Sequence, residues 1–520
     1  MEAHKISRLI FQNISPLDHR YSISEESLYN ALVPWISEEA VIKACVKAEI
    51  ALIIAHLGTR GQLSAAIREQ LEKTGEGIDS AEVYAEEEKT RHNIRALVNV
   101  LKKKISEKST ETLPGMAHDA FPSAVDLAPL VHLGATSVDI LDTALSWRIK
   151  GVTGEVVLPE LKKLELLLCD LAEREAETPQ VGRTHGQHAV PITVGFAMAE
   201  YVSRLGKSIL EIERLAANLK GKLAGAVGAY NATAMIVKDP EELERLYLAE
   251  LGLEPSEHST QLVEPEYLLR LLLEFNTAFG IIANLADDLR NLQRSEIGEF
   301  REGFSSDQVG SSTMPQKRNP WNSEHVKSLW KAFMPRVITF YMDQISEHQR
   351  DLSNSASQRF IADYIAGFCL AVSRMADVIK GLGINRERLK ANLYGGEGTE
   401  AGSFVNTAGT SAGIPGAVLA ESAYILLAES GVSGAHEIIR KITLAAEKEH
   451  LAFGAALARE KEVLSRIGGK MAALGLISAE GDNAEEALAW FGNPAQYCGL
   501  SARKAISLAA KYRREMMNMK

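Results

Sequence analysis

Apolar residues along this chain recur mostly at the three-to-four-residue spacing of an amphipathic helix, not in strict alternation. That spacing predicts long helices over Glu39 to Leu57, Val156 to Glu175, Phe196 to Lys222, Glu266 to Leu292 and Ser323 to Ile345. No comparable series of alternating strands accompanies them. Between the helices lie polar or Gly/Pro/Thr-rich segments, Leu113 to Asp126, Thr178 to Thr193, Gly225 to Asp239 and Gly303 to Asn322, where a helical bundle would place its chemistry. A Gly/Ala/Ser/Thr-rich stretch, Gly395 to Gly416, interrupts the pattern and reads as a loop or linker at a domain edge. From Ala417 to Lys520 amphipathic patterning returns, with a turn at Phe491-Gly492-Asn493-Pro494, as expected of a small helical domain. No internal repeat stands out.

Composition narrows the class. With 520 residues the chain exceeds what one core supports, so two or three cores are expected. Only 6% of residues are aromatic against 46% hydrophobic and 24% charged, which favours a helical globular protein over a β-sandwich. A formal net charge of −11 argues against a general nucleic-acid binder, and an anionic substrate would need a local basic pocket. The four cysteines, Cys45, Cys169, Cys369 and Cys498, form no CxxC pair and read as reduced thiols of a cytoplasmic protein. Met1 to Ile14 shows no secretory pattern, and the most apolar run, Tyr267 to Leu285, is interrupted by Arg270, Glu274, Asn276 and Asn284. That run reads as a helix buried in a bundle; no membrane partner is expected.

The densest chemistry lies in Phe300 to Pro320, which ends in Gly310-Ser311-Ser312-Thr313-Met314-Pro315-Gln316-Lys317-Arg318-Asn319-Pro320. Glycine, hydroxyl residues and a Met-Pro step ahead of Lys-Arg-Asn-Pro suit a hydrogen-bonding segment able to close over a ligand. For an elimination, a weakly acidic carbon-bound proton must be removed while a cation and amide donors face the enolate-like carboxylate that results. Lys317 and Asn319 are candidates for that face. A serine hydroxyl becomes a base only where nearby donors stabilise its ionised form in a dry site, and the Gly310-Ser311-Ser312 backbone is a candidate source of such donors.

This run resembles the signature loop of the fumarase/aspartase superfamily, whose members release fumarate by β-elimination from a succinyl group on nitrogen or oxygen. The resemblance implies Ser311 as the general base, Lys317 and Asn319 on the fumaryl part with Ser312 beside them, and Glu324 as the carboxylate that orients a catalytic histidine. Gly182-Arg183-Thr184-His185-Gly186-Gln187-His188 looks like the family's Thr-His-x-Gln element, which makes His185 the general acid and Thr184 a substrate contact. An imidazole titrates near neutrality, so a carboxylate partner can keep it protonated. His188 is left as a structural histidine. Val131-His132-Leu133-Gly134-Ala135-Thr136-Ser137-Val138-Asp139 resembles the element that supplies hydroxyls and amides to substrate carboxylates, through Thr136 and Ser137. Read without the family, it is equally a helix start, and the two readings are compatible because helix N-termini attract anions.

Within the superfamily, Thr136-Ser137 speaks against argininosuccinate lyase, and the loop sequence against fumarase. Carboxymuconate cycloisomerase and the branch acting on succinylated purine nucleotides remain. Ser15-Pro16-Leu17-Asp18-His19-Arg20-Tyr21 and Glu87-Glu88-Lys89-Thr90-Arg91-His92-Asn93 resemble nucleotide-contacting elements of that branch, with Arg20, Tyr21, Arg91 and His92 at the matching positions and Asn93 where an aspartate is usual. Gln349 to Arg359 resembles a phosphate-side segment, with Arg350, Ser355 and Arg359 as ligands; if helical, it puts Ser355 and Arg359 on one face. Gln261 matches a substrate-binding position. A phosphate-free cycloisomerase substrate needs no such cluster. The resemblance, which extends to Asn493-Pro494-Ala495-Gln496-Tyr497-Cys498-Gly499-Leu500, implies an all-α protein of three helical domains, 1–137, 138–395 and 396–520, the central one a long-helix bundle. It further implies a homotetramer with active sites shared between subunits, no metal or organic cofactor, and elimination of fumarate from adenylosuccinate and from succinyl-aminoimidazole-carboxamide ribotide. A non-catalytic relative on the same scaffold would have lost some of Ser311, Lys317, Asn319, His185 and Glu324, and all are present. Gly395 to Gly416 looks like an insertion relative to the family.

Overall fold

The computed structural model describes residues 10–110, 127–304, 309–351, 353–395, 414–478 and 480–519. The expected loop Leu113 to Asp126 and nearly all of the Gly395 to Gly416 insertion lie outside the described residues.

The fold is all-α, and the helices follow the apolar periodicity closely. The predicted helix Glu266 to Leu292 is observed with those bounds, and Glu39 to Leu57 is observed as Glu38–Thr59, opened by the hydroxyl of Ser37, which accepts from the amide of Ala40. Three expectations need amendment. Ser323 to Ile345 is two helices, Trp321–Phe333 and Arg336–Asp343, because Pro335 has no amide to continue the first. Val156 to Glu175 begins two residues late, at Leu158, behind a π-helical turn Thr153–Val157 that prolongs the helix Ser137–Val152. Phe196 to Lys222 stops at Ala217, and the chain becomes extended at Lys220–Gly221, which pairs in parallel with Glu254–Pro255.

Strands are few and short: among the described residues they form three two-stranded sheets. The longest is a hairpin of β1, Pro179–Thr184, and β2, Gln187–Thr193, inside a stretch expected to be loop.

Contacts divide the chain into two compact units, each discontinuous in sequence: 1–161, 208–280 and 329–373 in the first, 162–207, 281–328 and 374–520 in the second. In the first unit the helix Glu38–Thr59 is enclosed on nearly every side, with Ala48, Leu52, Ile53 and Leu57 fully buried, which explains its uniform rather than one-sided hydrophobicity. The helix Glu26–Ile36 lies so close to Ser137–Val152 that a Cβ on Gly151 would sit 1.9 Å from the ring of Trp35. Phe275 and Phe368 stack in the same unit with centroids 5.5 Å apart. In the second unit Leu427, Phe453, Ile467, Met471 and Phe491 centre a core built by the C-terminal helices, and the ring of Tyr512 occupies the space a Cβ on Gly206 would need. All four cysteines are free, three of them buried.

Candidate active site

In the second unit, the run Gly310 to Pro320 is neither helix nor strand; its own polar groups hold it. The side-chain amide of Asn319 donates to the carbonyl of Gly310 at 3.0 Å and closes the segment across its base. Gly310 is required there, since a Cβ would lie 2.0 Å from the carbonyl oxygen of Lys317. Inside this closure the hydroxyl oxygen of Ser311 accepts from the amides of Thr313 at 3.3 Å and Met314 at 3.1 Å. Two amides aimed at one hydroxyl oxygen are the arrangement that favours an alkoxide. The donors are therefore Thr313 and Met314, two residues further on than the sequence suggested.

The loop runs into the helix Trp321–Phe333, whose first amides are satisfied from outside. Glu302 accepts from the amide of Asn322 at 3.0 Å and from that of Ser323 at 2.7 Å. Glu324 sits exposed in the first turn. Lys317, Asn319 and Glu324 line one cleft of about 680 Å³, together with Arg290, Arg294 and Arg318. Four cations and one carboxylate line the cleft; Arg290 is paired with Asp287 at 3.2 Å and Arg294 with Glu296 at 3.0 Å. Arg290 lies in the last turn of the helix Glu266–Leu292 and Arg294 two residues beyond it, places where basic residues are ordinary and the sequence alone does not mark them.

His185 occupies the tip of the β1–β2 hairpin. Thr184 pairs with Gln187, and the two residues between them, His185 at φ 54° and Gly186 at φ 73°, both lie in the left-handed region. That is the two-residue turn whose twist suits a tight hairpin, and a histidine there is held out into solvent. Behind the tip, Arg183 places both terminal nitrogens on the fully buried carboxylate of Glu299, at 2.6 and 3.1 Å. His188 pairs across from Arg183, where burial and the Arg183 charge lower its pKa. Among the described residues no hydrogen bond or ion pair joins His185 to Glu324 within the chain.

The first unit carries the remaining candidates. Thr136 precedes the helix Ser137–Val152, and its amide donates to Asp139 at 2.8 Å, so the helix-start reading is correct. The Asp139 carboxylate is fully buried and paired with Lys222, also fully buried, while the amide of Gly225 donates to it at 3.3 Å. Lys222 thereby cancels a negative charge lodged beneath a helix N-terminus that would otherwise repel an anionic ligand. One turn on, Asp142 accepts from the amide of Val263 at 3.0 Å, and the amide of Gln261 donates to the carbonyl of Gln349 at 3.4 Å. Burial pushes the Asp142 carboxyl up to about 6, against the lowering effects of that amide and of the Lys222 and Arg350 charges. Asp142 thus joins three expected substrate segments, those of Thr136-Ser137, Gln261 and Arg350.

Ser355 and Arg359 do not share an α-helical face. Ser355 lies in a turn and Arg359 in a 3-10 helix, Ser357–Phe360. The reason is local: Asp351 accepts from the amide and hydroxyl of Ser353 and from the amide of Glu347, which offers the backbone an alternative to the helix. Both residues are exposed, and the Arg359 charge reaches Tyr84 on the helix Ser80–Thr90. That helix ends at Arg91, at φ 54°, after which His92 accepts the amide of Arg95 at 3.3 Å and Asn93 that of Ile94 at 2.8 Å. Both side chains are exposed. Arg20, also exposed, and the half-buried Tyr21 open the short helix Arg20–Ser24. Ser312 and Thr184 are exposed beside Ser311 and His185.

Comparison with known proteins identifies the family. Residues 14–332 match the lyase family. An adenylosuccinate lyase of Pyrococcus abyssi is 32% identical over 445 residues, 84% of this chain and 88% of that protein. One of Methanocaldococcus jannaschii is 30% identical over 460 residues, 84% of this chain and 87% of that protein. Among solved structures, the 3-carboxy-cis,cis-muconate lactonizing enzyme of Pseudomonas putida superposes with a TM-score of 0.72 at 23% identity, covering 93% of this chain and 97% of that one.

Proposed function

The chain belongs to this lyase family, and from that premise we propose that it is a carbon–nitrogen lyase that releases fumarate from adenylosuccinate to leave AMP, and from succinyl-aminoimidazole-carboxamide ribotide in the same way. The observation that carries the reading is the hydroxyl of Ser311, which takes two backbone amides inside a loop that also bears Lys317 and Asn319.

In this mechanism Ser311 removes a proton from the succinyl CH2, the carbon β to the nitrogen, which bears the carboxylate that takes up the charge. Lys317 and the second amide hydrogen of Asn319 face that carboxylate as negative charge builds on it. The electron pair released from the C–H bond forms the double bond of fumarate, the C–N bond breaks, and His185 delivers a proton to the departing nitrogen. Thr136 and Ser137, at a helix N-terminus relieved of the Asp139 charge by Lys222, suit a second carboxylate. Arg350, Ser355 and Arg359, with Arg20, Tyr21, Arg91 and His92, take the nucleotide and its phosphate. His185 and Glu324 are both exposed and unjoined within the chain, which fits a site completed by a second copy in a cytoplasmic tetramer.

The reading is tested by offering purified protein adenylosuccinate and argininosuccinate separately and following fumarate. Release from adenylosuccinate only, and its loss in Ser311→Ala, is the expected result. Absence of fumarate from adenylosuccinate ends the substrate assignment, and unchanged turnover in Ser311→Ala ends the assignment of the base.

A further inference from the structure

Glu299 takes no part in that mechanism, yet more polar contacts converge on it than on any residue proposed to act. Its carboxylate is fully buried and accepts from both terminal nitrogens of Arg183, from the side-chain amide of Gln180 at 2.7 Å and from that of Asn392 at 2.8 Å. A carboxylate so enclosed cannot touch a substrate. Its partners show what it does.

Gln180 and Arg183 both belong to β1, three residues apart, and in a regular strand they would point to opposite faces. Both nevertheless reach one carboxylate, beside the point where the register between β1 and β2 shifts by one residue, between Val181 and Arg183. The shift falls at Gly182, where a Cβ would lie 2.7 Å from the carbonyl of Val190. There one residue of β1, Gly182, stands against two of β2, Ala189 and Val190, so the extra residue lies in β2 and sets which of its residues meet those leading to His185. His185 is two residues beyond Arg183, so the grip of Glu299 on Arg183 holds the hairpin just below the tip that presents the imidazole.

Glu299 also lies on a strap, Gln293 to Glu302, that holds the other catalytic segment. Gln293 donates to the carbonyl of Arg318 at 3.3 Å and accepts the amide of Glu302 at 2.8 Å. Glu302 in turn caps the helix that carries Glu324, including a bond from the hydroxyl of Ser323 at 2.5 Å. Ten residues thus grip the His185 hairpin at one point and the end of the Ser311 loop at two others.

We propose that Glu299 is a positioning residue for the acid half of the reaction, which fixes the register of the His185 hairpin through Arg183 and ties it to the strap that anchors the base loop. The proposal rests on the assignment of His185 as the acid.

The test is a double-mutant cycle on the full-length enzyme with adenylosuccinate. Glu299→Gln keeps the shape of the side chain and removes the charge that Arg183 grips. It is expected to lower kcat roughly ten- to a hundredfold with KM within about twofold, as displacement of a catalytic group does. In the His185→Ala background, measured by single turnover with enzyme in excess, the same substitution is expected to change the rate less than twofold, since there is no imidazole left to misplace. An equal loss in both backgrounds means that Glu299 serves the fold generally, and no loss in the wild-type background means that the register does not depend on it; either overturns the proposal. Should Glu299→Gln fail to fold, Arg183→Lys, which keeps a cation but loses the two-nitrogen fork, is read in the same cycle. Full activity in His185→Ala itself strikes at the acid assignment, and so separates failure of that reading from failure of this one.

Discussion

Replacing Gly310 by alanine isolates what the closed loop contributes to rate. The new Cβ would stand 2.0 Å from the carbonyl oxygen of Lys317 and 3.3 Å from the ring of Phe304. Carbon and oxygen rest at about 3.3 Å even in close contacts, so the two strands of the loop must part by roughly 1.3 Å. The obstacle is backbone on both sides, and no flexible side-chain end can swing away. The parting stretches the Asn319–Gly310 hydrogen bond, now 3.0 Å, past its useful range, and it moves Ser311 relative to Lys317 and Asn319.

Those two effects differ in size. One hydrogen bond lost from a half-exposed loop costs about 0.5–1.5 kcal/mol of stability. If Ser311 is the base, displacing it by about 1 Å from Lys317 and Asn319 costs about 100-fold in rate, or about 2.7 kcal/mol on the barrier. Gly310→Ala should therefore lose about 100-fold in kcat/KM for fumarate release, followed by ultraviolet absorbance, while its urea midpoint moves only slightly. Gly454→Ala, at a position with nothing within 4 Å of the added Cβ, should leave both unchanged. A folded Gly310→Ala enzyme within threefold of the parent would refute the claim that the closed loop is the working one.

Lys222→Met should be among the most damaging single changes, by about 3–5 kcal/mol in urea unfolding at fixed protein concentration, because it strands the buried Asp139 carboxylate; adding Asp139→Asn should recover part of the loss. Asp142 should make stability depend on pH. Its folded pKa of about 6 stands above the ordinary 3.8, so the contribution is full below about pH 3.8 and lost as pH rises through about 6. Asp142→Asn, which cannot ionise, should match the parent near pH 4 and exceed it by roughly 2 kcal/mol at pH 8; a difference that does not change with pH would contradict the shift. If sites are completed between copies, mixing inactive His185→Ala and Ser311→Ala chains through mild denaturation should restore a fraction of the activity, and no restoration would indicate sites built within one chain.

The parts of this molecule that could be read from its residues are those whose meaning is local. The run Gly310 to Pro320 holds hydroxyl, cation and amide in eleven consecutive positions, and Glu266–Leu292 declares its own helix through one unbroken period. The hairpin under His185 declared nothing. Gly182, Gly186 and Pro191 resemble loop residues, and the extra residue that β2 carries opposite Gly182 breaks the alternation by which that strand is recognised. Lys222 and Glu299 were invisible for a different reason. Each is an ordinary charged residue until its partner is known, and the partners, Asp139 and Arg183, lie 83 and 116 positions away. Periodicity reports which face of an element is buried and is silent about which buried charge meets which. Chemistry that acts on substrate can be concentrated in a short motif, because substrate is the partner. The charges that hold such a motif in place must find their partners in other elements, and so Glu299 becomes recognisable only when the hairpin is seen folded around it.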